Sequence, residues 1–186
     1  MIRFIKLLSV VSIFTGINFI PPVAVAQAWD ITPHVSAGLA LADIDAGGFS
    51  NVAIQIKGGL DLNRFIGVEA EGAIGVNSQD LGNGITAELD SQYGIFGVLS
   101  LPIGENFKIH SRLGYMSYVR KTTSTFGEDS DRVEFPSIGF GANYFLGADK
   151  KNGIRFDVTT FLPSGSENES FFSDDTFLSL AYERRF

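Results

Sequence analysis

From residue 29 onward, apolar and polar residues alternate along the chain in stretches separated by runs of Gly, Asn, Asp and Pro. Successive side chains of a strand point to opposite faces, so each stretch predicts a strand with one apolar and one polar side. In the first, Trp29 to Ala42, Ile31, Pro33, Val35, Ala37, Leu39 and Leu41 lie opposite His34 and Ser36. The second, Asn51 to Leu62, sets Val52, Ile54, Ile56 and Leu60 against Gln55, Lys57 and Asp61. The third, Ile66 to Val76, sets Ile66, Val68, Ala70 and Ile74 against Glu69 and Glu71. The fourth and fifth run from Leu89 to Leu101 and from Phe107 to Val119. Their apolar faces carry Tyr93, Ile95, Leu99 and Leu101, then Phe107, Ile109, Leu113 and Tyr115; Lys108, His110 and Arg112 lie on the other side of the fifth. The sixth, Val133 to Leu146, presents Ile138, Phe140, Ala142, Tyr144 and Leu146. The seventh, Ile154 to Leu162, sets Ile154, Phe156 and Val158 against Arg155, Asp157 and Thr159. The eighth ends the chain. Leu178, Leu180, Tyr182 and Phe186 share its apolar face, where Arg184 is the one charge; Phe177, Ser179, Ala181, Glu183 and Arg185 share the other.

Eight is an even number, and the connections alternate in length. Short turns are predicted near Asn63, Pro102 and Gly147; longer polar loops are predicted at Asp43–Gly48, Asn77–Ala87, Arg120–Arg132 and Pro163–Asp174. The fold class is therefore all-β, an eight-stranded antiparallel up-and-down barrel, and the strands are long enough to cross a bilayer at a tilt. A soluble lipocalin-like barrel also has eight alternating strands, with its apolar face inward. The polar face decides between them. It carries Lys57, Lys108, Arg112, Arg155 and Arg185 against Asp61, Glu69, Glu71, Asp157 and Glu183. Five cations against five anions is the balance a closed lumen requires, because an unpaired buried charge is costly. The polar face is thus expected inside and the apolar face toward lipid, with these ten residues as a lumen charge network.

The first residues change the picture of where the chain works. Arg3 and Lys6 precede an almost wholly apolar run from Leu7 to Ile20, then Pro21-Pro22 and small residues around Ala26 and Ala28. This is the layout of a secretory signal peptide over residues 1–28, cleaved after Ala26 or Ala28, with one domain over 29–186. Removing the leader's two cations takes the formal charge from −7 to −9, an unfavourable sign for nucleic acid. Without cysteine there is no thiol nucleophile or Cys-based metal site. Counted with their strand edges, the four longer loops hold thirteen acidic residues against Arg120, Lys121 and Arg132, a net of −10.

The ending on Phe186, with Tyr182 and other apolar residues at alternate positions before it, resembles the C-terminal signal by which Gram-negative outer-membrane barrels are recognised for assembly. The whole predicted domain resembles the small outer-membrane barrels typified by the transmembrane domain of outer membrane protein A, its eight-stranded relatives and porin-like single barrels. The resemblance is carried by Phe65–Glu71, Leu101–Glu105 leading into Leu113-Gly114-Tyr115, Ile138–Tyr144, Ile154–Val158 and Arg185-Phe186. It implies an integral outer-membrane protein with both termini periplasmic. The implied partners are outer-membrane lipid, lipopolysaccharide and the barrel assembly machinery, and the implied state is a monomer. The implied role is structural or one of surface interaction, in adhesion or shielding, through acidic outer loops. A narrow channel for ions or small solutes is the alternative.

Candidate chemistry is sparse. His110 and Ser111 are adjacent on a strand, so they point to opposite faces and cannot form a nucleophile–base pair. A lipid-A-modifying enzyme and a soluble lipocalin-like barrel are the weaker readings, and no catalytic residue is assigned. Asp43-x-Asp45 and Glu128-Asp129-x-Asp131 lack the spacing of a calcium loop and read as solvated acidic loops. No cofactor or metal is expected.

Overall fold

The computed structural model describes residues 30–44, 49–82, 84–125, 127–162 and 175–186. The expected leader and the loop expected over 163–174 lie outside them. The described chain forms β1 (Thr32–Ile44), β2 (Phe49–Asp61), β3 (Ile66–Gly75), β4 (Ser78–Gly82), β5 (Ile85–Ile103), β6 (Phe107–Ser124), β7 (Gly127–Leu146), β8 (Asn152–Phe161) and β9 (Thr176–Arg185). Each pairs antiparallel with its neighbours, β9 pairs with β1, and β3 pairs with β5, which closes an eight-stranded barrel. The ninth segment, β4, continues the line of β3 and pairs with the far end of β5.

Register fixes the barrel's shape. Followed through paired residues, Pro33 leads to Leu60, Val68, Gly97, Leu113, Ile138, Thr160, Thr176 and back to Asp43. One circuit therefore shifts the chain by ten residues, which for eight strands means a tilt of roughly 40°. The ten-residue strands β3, β8 and β9 then rise about 25 Å along the barrel axis. That matches the height of the apolar band on a membrane barrel.

The faces fall as the alternation predicts. Ile95, Ile74, Leu99 and Leu113 are each at least 61% exposed on the outside, whereas Lys57, Arg112, Arg155 and Asp157 are at most 2% exposed inside. An apolar exterior around a charged interior is the reverse of a soluble barrel.

Two expectations are corrected. The polar loop expected over Arg120–Arg132 is mostly a hairpin: β6 and β7 stay in register from Tyr118↔Val133 to Ser124↔Gly127. Most of the loop expected over Asn77–Ala87 is likewise strand, in β4 and the start of β5, with a tight turn in which Gly82 and Gly84 take φ of +87° and +72°. Such angles are open to glycine at no steric cost. The alternation vanishes in these segments because a strand that has left an apolar solvent has two wet faces. The result is a sheet of β4 to β7 standing above the rim, β5, β6 and β7 running 19, 18 and 20 residues.

Candidate functional site: the lumen

The lumen is filled at three levels. At the end that carries the termini and short turns, Asp61 on β2 accepts from Arg185 Nη2 at 2.5 Å and from Lys108 Nζ at 3.4 Å. The Arg185 guanidinium lies 4.5 Å over the Phe145 ring, and Lys108 lies 5.9 Å from the same ring. Phe145 alternates inward between Tyr144 and Leu146, so β7 supplies an aromatic floor for two cations.

The middle level is a knot of charge. Arg155 on β8 donates to both oxygens of Glu69 on β3, Nη2 reaching Oε1 at 3.1 Å and Nη1 pairing with Oε2. Arg155 also donates to Asp157 at 2.8 and 3.0 Å and lies 3.5 Å from Glu183. Arg112 on β6 bridges Glu69 at 2.8 Å and Glu71 at 2.6 Å, also donates to Thr159, and stacks 4.4 Å over the Phe96 ring. Lys57 is in register with Glu71 across the β2–β3 pair, but its Nζ is 3.6 Å from that carboxylate and only 2.6 Å from Asp157 on β8. The neutral groups Gln92 and Asn143 donate to Glu71 and Glu183 at 2.6 and 2.8 Å. Paired guanidinium–carboxylate forks are the strong form of such contacts.

The ten predicted lumen residues thus divide into two groups. Lys57, Glu69, Glu71, Arg112, Arg155, Asp157 and Glu183 form the central knot, whereas Asp61, Lys108 and Arg185 form the separate end cluster. The two histidines join the knot, His110 at 2.7 Å from Asp157 and His34 at 3.5 Å from Glu69. Both are legible from parity as inward residues, but not as hydrogen-bond partners of these carboxylates. Of the predicted assembly-signal residues, Tyr182 is exposed on the outer face of β9 and Phe186, the residue that follows the strand, is exposed as well.

The third level, toward the long loops, is apolar. Leu89, Phe96, Met116, Tyr118, Phe161 and Phe177 are all at most 4% exposed, packed against small side chains from Ala40, Ala42, Ala53 and Ala73. The Tyr118, Phe161 and Phe177 rings lie 5.6–5.9 Å apart by centroid. Strict parity would place Leu89 outside with Tyr93. A bulge between Leu89 and Ser91 turns it inward, because one extra residue exchanges the faces.

The room for the knot is supplied by glycine. A Cβ on Gly141 would lie 2.5 Å from His110 Nε2 and 2.6 Å from Asp157 Oδ1, and one on Gly59 would lie 2.6 Å from the His34 ring. These are the positions where β7 and β2 give way to a neighbouring strand's polar side chain.

The site's geometry is not that of a serine triad. Asp157 stands between His110 on one oxygen and Ser179, 3.5 Å from the other, whereas a triad needs the imidazole between serine and carboxylate. Among the described residues no cluster of metal-ligating side chains occurs.

Comparison with known proteins agrees with this architecture. The family described as "outer membrane protein beta-barrel domain" matches residues 13–186. Among solved structures, the attachment invasion locus protein Ail of Yersinia pestis superposes with a TM-score of 0.59 at 16% identity, covering 83% of this chain and 98% of its own. The N-terminal β-barrel domain of OprF from Pseudomonas aeruginosa gives 0.61 at 9% identity, covering 83% and 97%. The outer membrane protein OprG from the same organism gives 0.61 at 13%, covering 86% and 98%. At these identities the likeness is one of fold. No curated protein matches the chain in sequence.

Proposed function

The chain belongs to the outer-membrane protein β-barrel domain family, and from that premise we propose that it is a closed structural barrel that presents an acidic surface from the outer membrane. It sits in the membrane as a monomer, with the turn end and both termini in the periplasm and the long-loop end outside. Phe186, at the close of β9, serves as the mark read by the assembly machinery. The single observation that carries the reading is the filled lumen: a charge cluster, a salt-bridge knot and an aromatic layer succeed one another along the axis. An eight-stranded barrel is just wide enough to be filled in this way.

The test is reconstitution in planar bilayers with conductance recording. No steady conductance is expected from the wild type. Large, steady wild-type openings would refute the closed barrel and establish the narrow-channel alternative.

The loop end is the interacting surface. Its net charge of −10 is opposite to what a polyanion needs. One solved structure holds Ail of Yersinia pestis with the heparin analogue sucrose octasulfate. This chain shares the fold of that protein but presents the wrong sign for such a ligand. Calorimetry with sucrose octasulfate is expected to show no binding, and the partners sought by the acidic rim are cationic.

A further inference from the structure

Arg184 is the one charge on the apolar face of the last strand, and nothing in the lumen accounts for it. Its neighbour Arg185 turns inward to Asp61, whereas Arg184 points outward and is exposed, level with Val35 on β1 and Asn152 on β8. Its Nη1 donates to Asn152 Oδ1 at 2.6 Å, and the Tyr182 hydroxyl donates to the same oxygen at 2.6 Å. Among the described residues no carboxylate lies within ion-pairing distance of it. A neutral acceptor therefore fixes the guanidinium and leaves its charge uncompensated.

A second feature lies deeper on the same outward seam. An open groove of about 290 Å³ is lined by Leu39, Leu41, Val52, Phe156, Leu178 and Leu180. Leu180 and Leu178 stand four and six residues from Arg184 along β9, about 13 and 20 Å of strand. At a tilt of roughly 40° this is about 10–15 Å of depth. One leaflet of a hydrocarbon core about 30 Å thick has that depth.

We propose that the β8–β9–β1 seam binds an anionic glycerophospholipid. The Arg184 guanidinium takes the phosphate through its remaining N–H groups, and one acyl chain lies in the groove. Arginine suits this role because its planar fork matches a phosphate's oxygens. The choice of a phospholipid rests on the orientation given above, which puts the turn end in the periplasmic leaflet.

The test is native mass spectrometry of the protein extracted in mild detergent and offered equal amounts of phosphatidylglycerol and phosphatidylethanolamine. The wild type is expected to retain phosphatidylglycerol preferentially, by about fivefold, the factor one cation contributes near an anionic bilayer surface. Arg184→Gln should remove the preference while still migrating as a folded barrel on unboiled gels. Arg64→Gln, which alters an exposed cation at another turn, should retain it, and Leu180→Ala should lower retention of both lipids. Equal retention of the two lipids by the wild type, or an unchanged preference in Arg184→Gln, would overturn the proposal. The leaflet is tested separately by labelling Asp149→Cys in intact cells with an impermeant thiol reagent. Labelling from outside would overturn the orientation, and with it the lipid's identity, even if the charge preference in detergent persisted.

Discussion

Glu69→Gln is the sharpest probe of the lumen. The Glu69 carboxylate accepts from Arg155 on both oxygens, from Arg112 at 2.8 Å and from His34 at 3.5 Å. Glutamine has nearly the same shape, but it carries no charge and turns one N–H₂ toward guanidinium groups. The lumen's balance of five against five then becomes an excess of one cation. A buried charge stripped of its only partner costs about 3–5 kcal/mol. Here Arg155 keeps Asp157 at 2.8 Å and Arg112 keeps Glu71 at 2.6 Å, so neither is stranded. The loss expected is at the lower end, about 3 kcal/mol. Glu183→Gln is the internal comparison. Glu183 is touched only by Asn143 at 2.8 Å and Arg155 at 3.5 Å among the described residues, so its replacement should cost about 1 kcal/mol. Urea unfolding in detergent micelles, followed by far-ultraviolet circular dichroism and by migration on unboiled gels, measures both. A Glu69→Gln effect within about 0.5 kcal/mol of wild type, the range of an ordinary surface change, would refute the reasoning. It would mean that water, not protein, balances the charges in the lumen.

Four further outcomes follow from the same geometry. Gly141→Ala places a methyl within 2.6 Å of both His110 and Asp157 atoms and should cost about 1–3 kcal/mol in the same urea assay. Ile95→Arg, on the outward face at mid-height, should cost about 2–4 kcal/mol, whereas Val68→Arg near the turn end should cost less; equal costs would refute the depth assignment. Deleting Phe186 should lower the yield of folded barrel without blocking export, measured by gel migration of the outer-membrane fraction. At the exposed turn pair, the hydrogen bond and charge of Lys150 hold the Glu105 carboxyl below its ordinary pKa. Lys150→Gln should raise it in an NMR titration. The pair's small stabilisation is present above the unfolded glutamate pKa and is lost as pH falls through the lowered folded value.

The sequence made the faces legible and left the heights illegible. Alternation assigns Glu69, Arg112, Arg155 and Asp157 to the inside because period two is enforced wherever one side meets lipid and the other a crowded lumen. It breaks down where that contrast ends. Thr122, Thr123, Glu128 and Asp129 read as loop since both sides of the β6–β7 hairpin are wet there. The Lys121–Glu128 pair at 2.9 Å spans this hairpin, a cross-strand contact that polarity alone concealed. Leu89 was displaced by a single extra residue, a bulge that no local composition announces.

Which charges meet is a property of the whole register. Arg155 and Glu69 are 86 residues apart in the chain, and Lys57 and Asp157 are 100 apart. Each pair depends on every intervening strand keeping step, since the ten-residue shift around the barrel decides which heights face one another. Neighbouring strands would lead one to pair Lys57 with Glu71, its register partner, yet the shorter contact reaches across the lumen to Asp157. Arg112 does not separate the two carboxylates: it takes Glu71 at 2.6 Å, and its Nε lies 3.7 Å from Asp157. The Lys57 ammonium makes its short contact on the Asp157 side, where it donates a second hydrogen bond to Ser179 Oγ at 3.0 Å. A narrow lumen therefore ties strands that share no backbone hydrogen bond, and the cross-lumen contacts brace the closed shape that backbone pairing alone completes only around the circumference.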